Sequence, residues 1–531
     1  MKANLVRHAG VLALAGLALL GTISAHAATL RWANTGDAVS MDPYNINETF
    51  TQSFTGNIYE SLIFRGKDLK INPSLAESWR TVEPNTWEFK LRRGVKFHEG
   101  EDFTAEDVVF SYKRAMSVGS DIKGYFLSVA GMEVKDPYTV MIRTKQPNPI
   151  LLADISSWQI FSKSWCEKNG ATESTSIRQN IENYASRHAN GTGPYILVSR
   201  EADVKTTLKR NPNWWGWKAG VGNSNVDEVV FTPIKQDGTR VAALLSGSVD
   251  MLYEVPIQDL DRIRASGNKV FQAAETRTVF LGMDQFRDEL LDSSVKGKNP
   301  LKDRRVRLAL YKAIDEDLIV SRIMKGAATA ATGFLVKEGA GFDPNFKRLG
   351  YDQEQAKKLL ADAGYPNGFE VGFDCPNDRY VNDAQICQAV TSMWARIGIK
   401  ANLNAQTKSL HFAKIGRLET SLYMLGWAPN TIDGQNVLDN LLVTRNDATG
   451  FGRFNYGRYS NKELDALAAQ SRGELDLDKR TRILQQALNL AHSDVGTIPL
   501  HYQQVIWVAG PKVDLAQRAD NWFFWPWVNL K

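Results

Sequence analysis

Cysteine is scarce in this chain, three in 531 residues, so a dense disulfide framework is excluded. A chain this long buries a large core without such staples. Neither sign of charge dominates: 64 Lys+Arg stand against 59 Asp+Glu, a formal net charge of +5. That is too little for nucleic-acid binding by bulk charge, and no Lys/Arg run supplies it locally. Beyond the N-terminal segment, no apolar run approaches the roughly 18 residues that suggest a membrane span. Motifs of chemistry are missing too. There is no G-x-x-x-x-G-K-[ST] loop for nucleotide phosphates, and Gly191-Thr192-Gly193 lacks the third glycine of a dinucleotide fingerprint. G-x-S-x-G, H-E-x-x-H and C-x-x-C are all missing. The five histidines beyond the N-terminal segment (His98, His188, His411, His492 and His501) never pair at i,i+4. The expectation is a protein without catalysis, metal or cofactor. Two carboxylates facing across a cleft are invisible in a sequence, so a hydrolase stays as a remote alternative.

What is present is aromatic. The chain has 14 Trp, 16 Tyr and 23 Phe, and Trp offers broad apolar contact plus one N–H donor. Apolar residues make up 43% and charged residues 23%, the balance of a globular protein. The N-terminus carries Lys2 and Arg7, an apolar stretch from Ala9 to Ile23, and then Ala25-His26-Ala27. This is the pattern of a cleavable secretory signal. Cleavage is expected after Ala27 or Ala28, with no cysteine nearby to carry a lipid. Export without an anchor fits a Gram-negative periplasm. In such an oxidising compartment Cys375 and Cys387 are candidates for a disulfide that holds the loop 376–386, or they are two reduced, buried thiols. Cys166 is left unpaired.

Along the chain, residues 30–34 read as an opening strand and 52–62 as a helix. Thr86-Trp87-Glu88-Phe89-Lys90-Leu91 alternates with period two inside a hairpin over 79–97. Thr104 N-caps a helix, Val140–Arg143 is a strand, and Thr206–Lys209 continues a sheet ahead of the loop Asn211-Pro212-Asn213-Trp214-Trp215. Helical spacing then covers 303–323 and 352–363, the latter stopped by Gly364, and 386–397, followed by Gly398 and a strand over 399–403. The first half is strand-rich α+β, the second α/β. No flexible linker separates them, so strands are expected to cross between the two. Trp79, Trp87, Trp394 and the Trp522–Trp527 cluster read as core, and Trp427, at a strand end beside a polar loop, as cleft.

Several segments carry a resemblance. They are Leu75-Ala76-Glu77-Ser78-Trp79, Trp87 through Gly100, Phe103-Thr104-Ala105-Glu106-Asp107-Val108, Gly191-Thr192-Gly193-Pro194-Tyr195, Arg304 through Ala309 with Ala313-Ile314-Asp315, Ala356 through Tyr365, Ile397-Gly398-Ile399-Lys400 and Gly426-Trp427. Together, and in this order, they resemble the extracellular solute-binding proteins of family 5, the peptide- and nickel-type receptors of ABC importers. The resemblance implies a mixed α/β fold of the two-lobe periplasmic-binding type that closes on a solute and presents it to an inner-membrane permease. It implies lobe I over 28–280 with an insert at 71–190, lobe II over 281–503, and a C-terminal return to lobe I over 504–531. Hinges would lie near Phe280–Met283 and Pro499–His501. The protein would act as a monomer with a small solute as partner.

The resemblance also nominates a site. Peptide-binding members place an Arg before the matching helix to hold the ligand carboxylate; Cys375-Pro376-Asn377-Asp378-Arg379-Tyr380 occupies that place. Arg379, Tyr380 and Trp427 are the expected contacts. Those members carry an acid three residues after the Trp, where this chain has Asn430; the nearest acid is Asp433. Either Asp433 reaches an amine or the solute lacks one there. The expected solute is a peptide or amino-acid derivative; the alternatives are an opine, glutathione, an oligosaccharide or chelated nickel.

Overall fold

A computed structural model describes residues 28–337, 339–429 and 431–531; the expected signal segment and Asn430 lie outside the described residues. Among the described residues one mixed sheet of eleven strands organises the chain. At one end, Tyr195–Glu201, Lys205–Arg210, Glu228–Pro233, Thr29–Asn34 and Met251–Leu252 lie side by side. At the other end are Leu422–Trp427, Glu370–Pro376 and Lys400–Gln406. Two long strands, Lys269–Met283 and Ile498–Ala509, join the ends, antiparallel to each other. Ala328–Ala330 adds a short strand beside the second of them.

Burial separates along these two strands. One core gathers Leu30, Trp32, Phe50, Phe54, Phe89, Ile142, Trp158 and Phe231, together with Trp507, Phe523 and Trp525. A second holds Val279, Leu281, Met283, Leu310, Val371, Phe373, Trp394, Met424, Ile498 and Leu500. A third lies against the second around Leu425, Leu438, Phe454 and Leu484. Val279, Leu281 and Met283 belong to the second core and Phe280 to the third, and the ladder is irregular between Val279 and Phe280, beside the expected crossing. The ladder slips between Ala274 and Thr278, where Glu275 and Arg277 are buried. Side chains serve Glu275 and Arg277 there: Arg277 Nε donates to Glu275 (2.8 Å), and Gln503 donates to Glu275 (2.8 Å) and accepts from Val381 N (3.1 Å).

The antiparallel sheet of Ala76–Glu83, Thr86–Leu91, Thr139–Thr144 and Val129–Asp136 stands apart from the main sheet. The helix Ala105–Ala115 beside it begins in a capping box, Thr104 with Asp107, a reciprocal pairing that satisfies two otherwise free amides. In the second half, Asp383–Ala395 packs Ile386, Val390, Met393 and Trp394 inward. Gly398, at φ +90°, makes the left-handed turn into Lys400–Gln406. Two expected helices come out differently. The one expected at 52–62 is Thr49–Thr55, started by the Glu48 side chain on the amides of Phe50 and Thr51. The one expected at 303–323 stops after Arg304–Lys312, because Asp315 caps a new turn at Leu318 N.

Cys375, in the strand Glu370–Pro376, is bonded to Cys387 in the helix Asp383–Ala395, and Cys166 is free and buried. The most deeply buried ion pair of the first core is Arg114 with Asp42, both fully enclosed. Arg114 also donates to Ala171 O at 2.9 Å. Removing one partner strands a charge, so Asp42→Asn should lower unfolding free energy by about 3–5 kcal/mol in urea titration. A loss below about 1 kcal/mol would mean the pair is not enclosed.

Candidate functional site

Between the two cores lies a cleft of about 1020 Å³, including its solvent-open part. One wall is the segment 39–52, with Asp121, Tyr125, Ser157, Arg178 and Trp522. The other is Arg379, Tyr380, Phe412, Trp427, Phe454 and Tyr456, and Arg277 comes from the crossing strand. Aromatic rings thus form much of the surface, and three guanidinium groups with the carboxylates of Glu48 and Asp121 supply the fixed charge.

Arg379 sits on the loop after Glu370–Pro376, and that loop is held at several points. The Asp383 carboxylate accepts from the amides of Arg379 (2.9 Å) and Tyr380 (3.0 Å), burial pushing its pKa up to about 6 against those bonds. The disulfide ties the two flanks of the loop together. Tyr380 accepts from Gly426 N at 2.6 Å and lies beneath the Arg379 guanidinium, 5.0 Å away. Arg379 Nε approaches Glu48 Oε1 at 3.1 Å, close enough for an ion pair but misaligned for a hydrogen bond. No hydrogen bond among the described residues occupies its Nη1 or Nη2. Lys408 Nζ lies 3.9 Å from the other Glu48 oxygen. Burial disfavours the Glu48 carboxylate, yet Lys408, Arg379 and the Thr51 amide outweigh it and hold its pKa down to about 2. Glu254, nearby, is pushed up to about 7 by burial, against Arg379 and Lys408.

A second bridge spans the cleft. Asp121 pairs with Arg178 (2.8 Å) and with Arg453 (2.8 Å) from the far wall, and Arg178 donates to Tyr456 Oη at 3.1 Å. Each acid of the cleft, Glu48 and Asp121, therefore serves two cations, and the surplus charge is positive.

Of the residues nominated by sequence, Arg379, Tyr380 and Trp427 line this cleft together. Trp427 packs against Phe454 at 4.9 Å and donates to Asn436 at 2.9 Å. Asp433 does not line it. Its carboxylate caps the helix Gly434–Val437 and meets Arg480 with two parallel bonds of 2.7 and 2.9 Å, both groups buried. The carboxylate expected to be available to a solute amine is engaged in that fork with Arg480. Sequence reasoning missed Glu48, Asp121, Arg178 and Arg277. Arg178 and Arg277 sit in segments without motif or periodicity, and only the N-cap position of Glu48 carried any signal.

Two lobes around such a cleft define a solute receptor. The chain belongs to the bacterial extracellular solute-binding proteins, family 5, whose model matches residues 70–449. It is 27% identical over 515 residues to the glutathione-binding protein GsiB of Escherichia coli K12, covering 95% of both chains. The Helicobacter pylori periplasmic binding protein DppA, solved with the peptide STSA, superposes with a TM-score of 0.83 at 24% identity, covering 94% of this chain and 98% of that one. AgaA of A. tumefaciens R10, solved with agropinic acid, gives 0.82 at 21%, covering 95% and 99%.

Two outcomes follow for the site's charges. Asp433→Asn should cost about 3–5 kcal/mol of stability, because Arg480 stays buried without its partner, and should not discriminate between solutes with and without a free amine. Selective loss of amine-bearing solutes in calorimetry would return Asp433 to the cleft. Glu48, held below the ordinary Glu value of about 4.3, contributes fully above that value and loses its contribution as pH falls toward about 2. The melting-temperature gap between the unaltered protein and Glu48→Gln should hold from pH 7 to 5 and close below about 4. A gap unchanged down to pH 2.5 would contradict this pairing.

Proposed function

We propose that this protein is a periplasmic receptor of an ABC importer. It captures a peptide or amino-acid-derived solute by closure of its two lobes, returns it unaltered, and delivers it as a monomer to an inner-membrane permease. The observation that carries the reading is the convergence of Arg178, Arg277 and Arg379 on one cleft between two cores. Among the described residues nothing is hydrogen-bonded to Nη1 or Nη2 of Arg379, and the planar fork suits a carboxylate. The relatives' ligands support the same class: glutathione, a peptide and agropinic acid all carry carboxylates.

The charge balance refines the choice. The two acids of the cleft each bind two cations, and Asp433 is committed to Arg480. Little is left to neutralise an ammonium, which favours a solute of net negative charge or one whose amine is acylated. Closure is ligand-coupled when the solute touches both walls, because it then binds the closed form better than the open one. Arg379 on one wall and Arg178 on the other supply that differential contact.

Arg379→Ala should weaken binding of a carboxylate-bearing solute by about 2–5 kcal/mol, the loss for a buried charge pair missing one partner. N-acetylation of a peptide solute should change affinity by less than about threefold. Titration calorimetry checks both, and mass spectrometry of the recovered solute checks that it is unaltered. Unchanged affinity of Arg379→Ala for the solute that co-purifies would remove the carboxylate anchor; a hydrolysed solute would favour an enzyme.

A further inference from the structure

A second cavity of about 600 Å³, including its solvent-open part, adjoins the cleft, and Ser157 and Trp522 belong to the walls of both. Its lining is aromatic: Phe64, Trp214, Trp215, Phe524 and Trp527, besides Trp522. These rings come from three places that the sequence keeps far apart. Trp214 and Trp215 sit at the start of the short helix Trp215–Lys218, and the others on the C-terminal segment or beside Arg65. Along that segment Phe523 and Trp525 turn into the first core, while Trp522, Phe524 and Trp527 face the chamber. The cluster expected to be all core is thus split between core and chamber wall.

The polar groups of the chamber are unevenly served. Glu60 accepts from Trp214 Nε1 (2.8 Å), Trp215 Nε1 (2.8 Å) and Thr192 Oγ1 (2.7 Å), so its oxygens are occupied. Arg518 pairs with Asp520 through Nε at 3.0 Å. Arg65 is different. It is 8% exposed, and its Nη1 donates to Leu69 O at 2.9 Å. Nε and Nη2 are buried and find no acceptor among the described residues. A buried guanidinium with open donors is costly unless something accepts from it; Asp520 and Asp154 favour its charge from a distance, but among the described residues no carboxylate is hydrogen-bonded to Nε or Nη2.

We propose that this chamber is an extension of the solute site, built to take an aromatic arm of the solute that ends in a carboxylate or similar anionic acceptor for Arg65. The proposal deepens the reading of the cleft as a receptor site for an anionic amino-acid derivative and rests on it. Stacking on the Trp and Phe walls supplies contact area, and Arg65 selects arms with an acceptor at the tip. An elongated solute that passes Trp522 and Ser157, which line both cavities, would place one carboxylate near Arg379 and its aromatic end near Arg65.

The test uses two probes on the full mature chain. Indole-3-acetate represents the arm, and N-acetylglycine the carboxylate end. A fragment of this size binds with Kd on the order of 1 mM, within reach of titration followed by ligand-observed NMR. Arg65→Gln should weaken indole-3-acetate at least about tenfold, the loss expected for a hydrogen bond to a charged group, and leave N-acetylglycine unchanged. Arg379→Gln should do the reverse. Ser156→Leu, which fills the chamber without removing a charge, should also exclude indole-3-acetate and decides the matter alone if Arg65→Gln does not fold. Indole-3-acetate that fails to bind, or that depends on Arg379 and not on Arg65 or Ser156, overturns the extension and leaves the cleft reading standing. N-acetylglycine indifferent to Arg379→Gln counts against the cleft reading instead.

Discussion

Everything in this molecule is constrained by two strands that belong to both cores. Lys269–Met283 and Ile498–Ala509 are hydrogen-bonded to each other on either side of the crossing, so the halves cannot separate without breaking a ladder. The ladder is interrupted between Val279 and Phe280 and also between Ala274 and Thr278. Arg277 stands at the latter interruption, bonded to Glu275 behind it and to Thr49 at 3.0 Å in front, while its side chain also lines the cleft. The crossing strand and the binding surface thus share one continuous set of groups.

The electrostatics follow from closure. Glu48 with Arg379 and Lys408, and Asp121 with Arg453, place opposite charges on opposite walls. Charges taken out of water are expensive and are repaid only by close, well-hydrogen-bonded partners. Asp121 has two guanidinium groups around it, Glu48 has two cations plus the amides of Phe50 and Thr51, and burial does not raise Glu48 above its ordinary range. The walls meet because their charges match, and they leave positive groups over.

Much of the framework was legible in sequence because it depends on local rules. The capping pair Thr104–Asp107, the turn at Gly398 and the apolar stripe of Ile386, Val390, Met393 and Trp394 each act within a few residues. The site was legible only where it sat on such a framework: Arg379, Tyr380 and Trp427 flank a strand end and a helix start. Arg178, Asp121 and Arg453 meet through the fold, and no short-range pattern announces a partner more than fifty residues away. Asp433 shows the opposite failure. Its spacing from Trp427 suggested the cleft, and Arg480, forty-seven residues further on, took it. The Trp522–Trp527 segment read as core because apolar content does not say which rings face a void.

The disulfide between Cys375 and Cys387 closes the loop that carries Arg379 at both flanks, and such bonds form in oxidising compartments. Both sulfurs lie inside the second core. The loop is tied besides by Asp383 to the amides of Arg379 and Tyr380, by Tyr380 to Gly426 N and by Gln503 to Val381 N. The stiffness of the arginine loop is therefore coupled to the redox state around the protein: in a reducing medium it would keep its hydrogen bonds and lose its covalent tie.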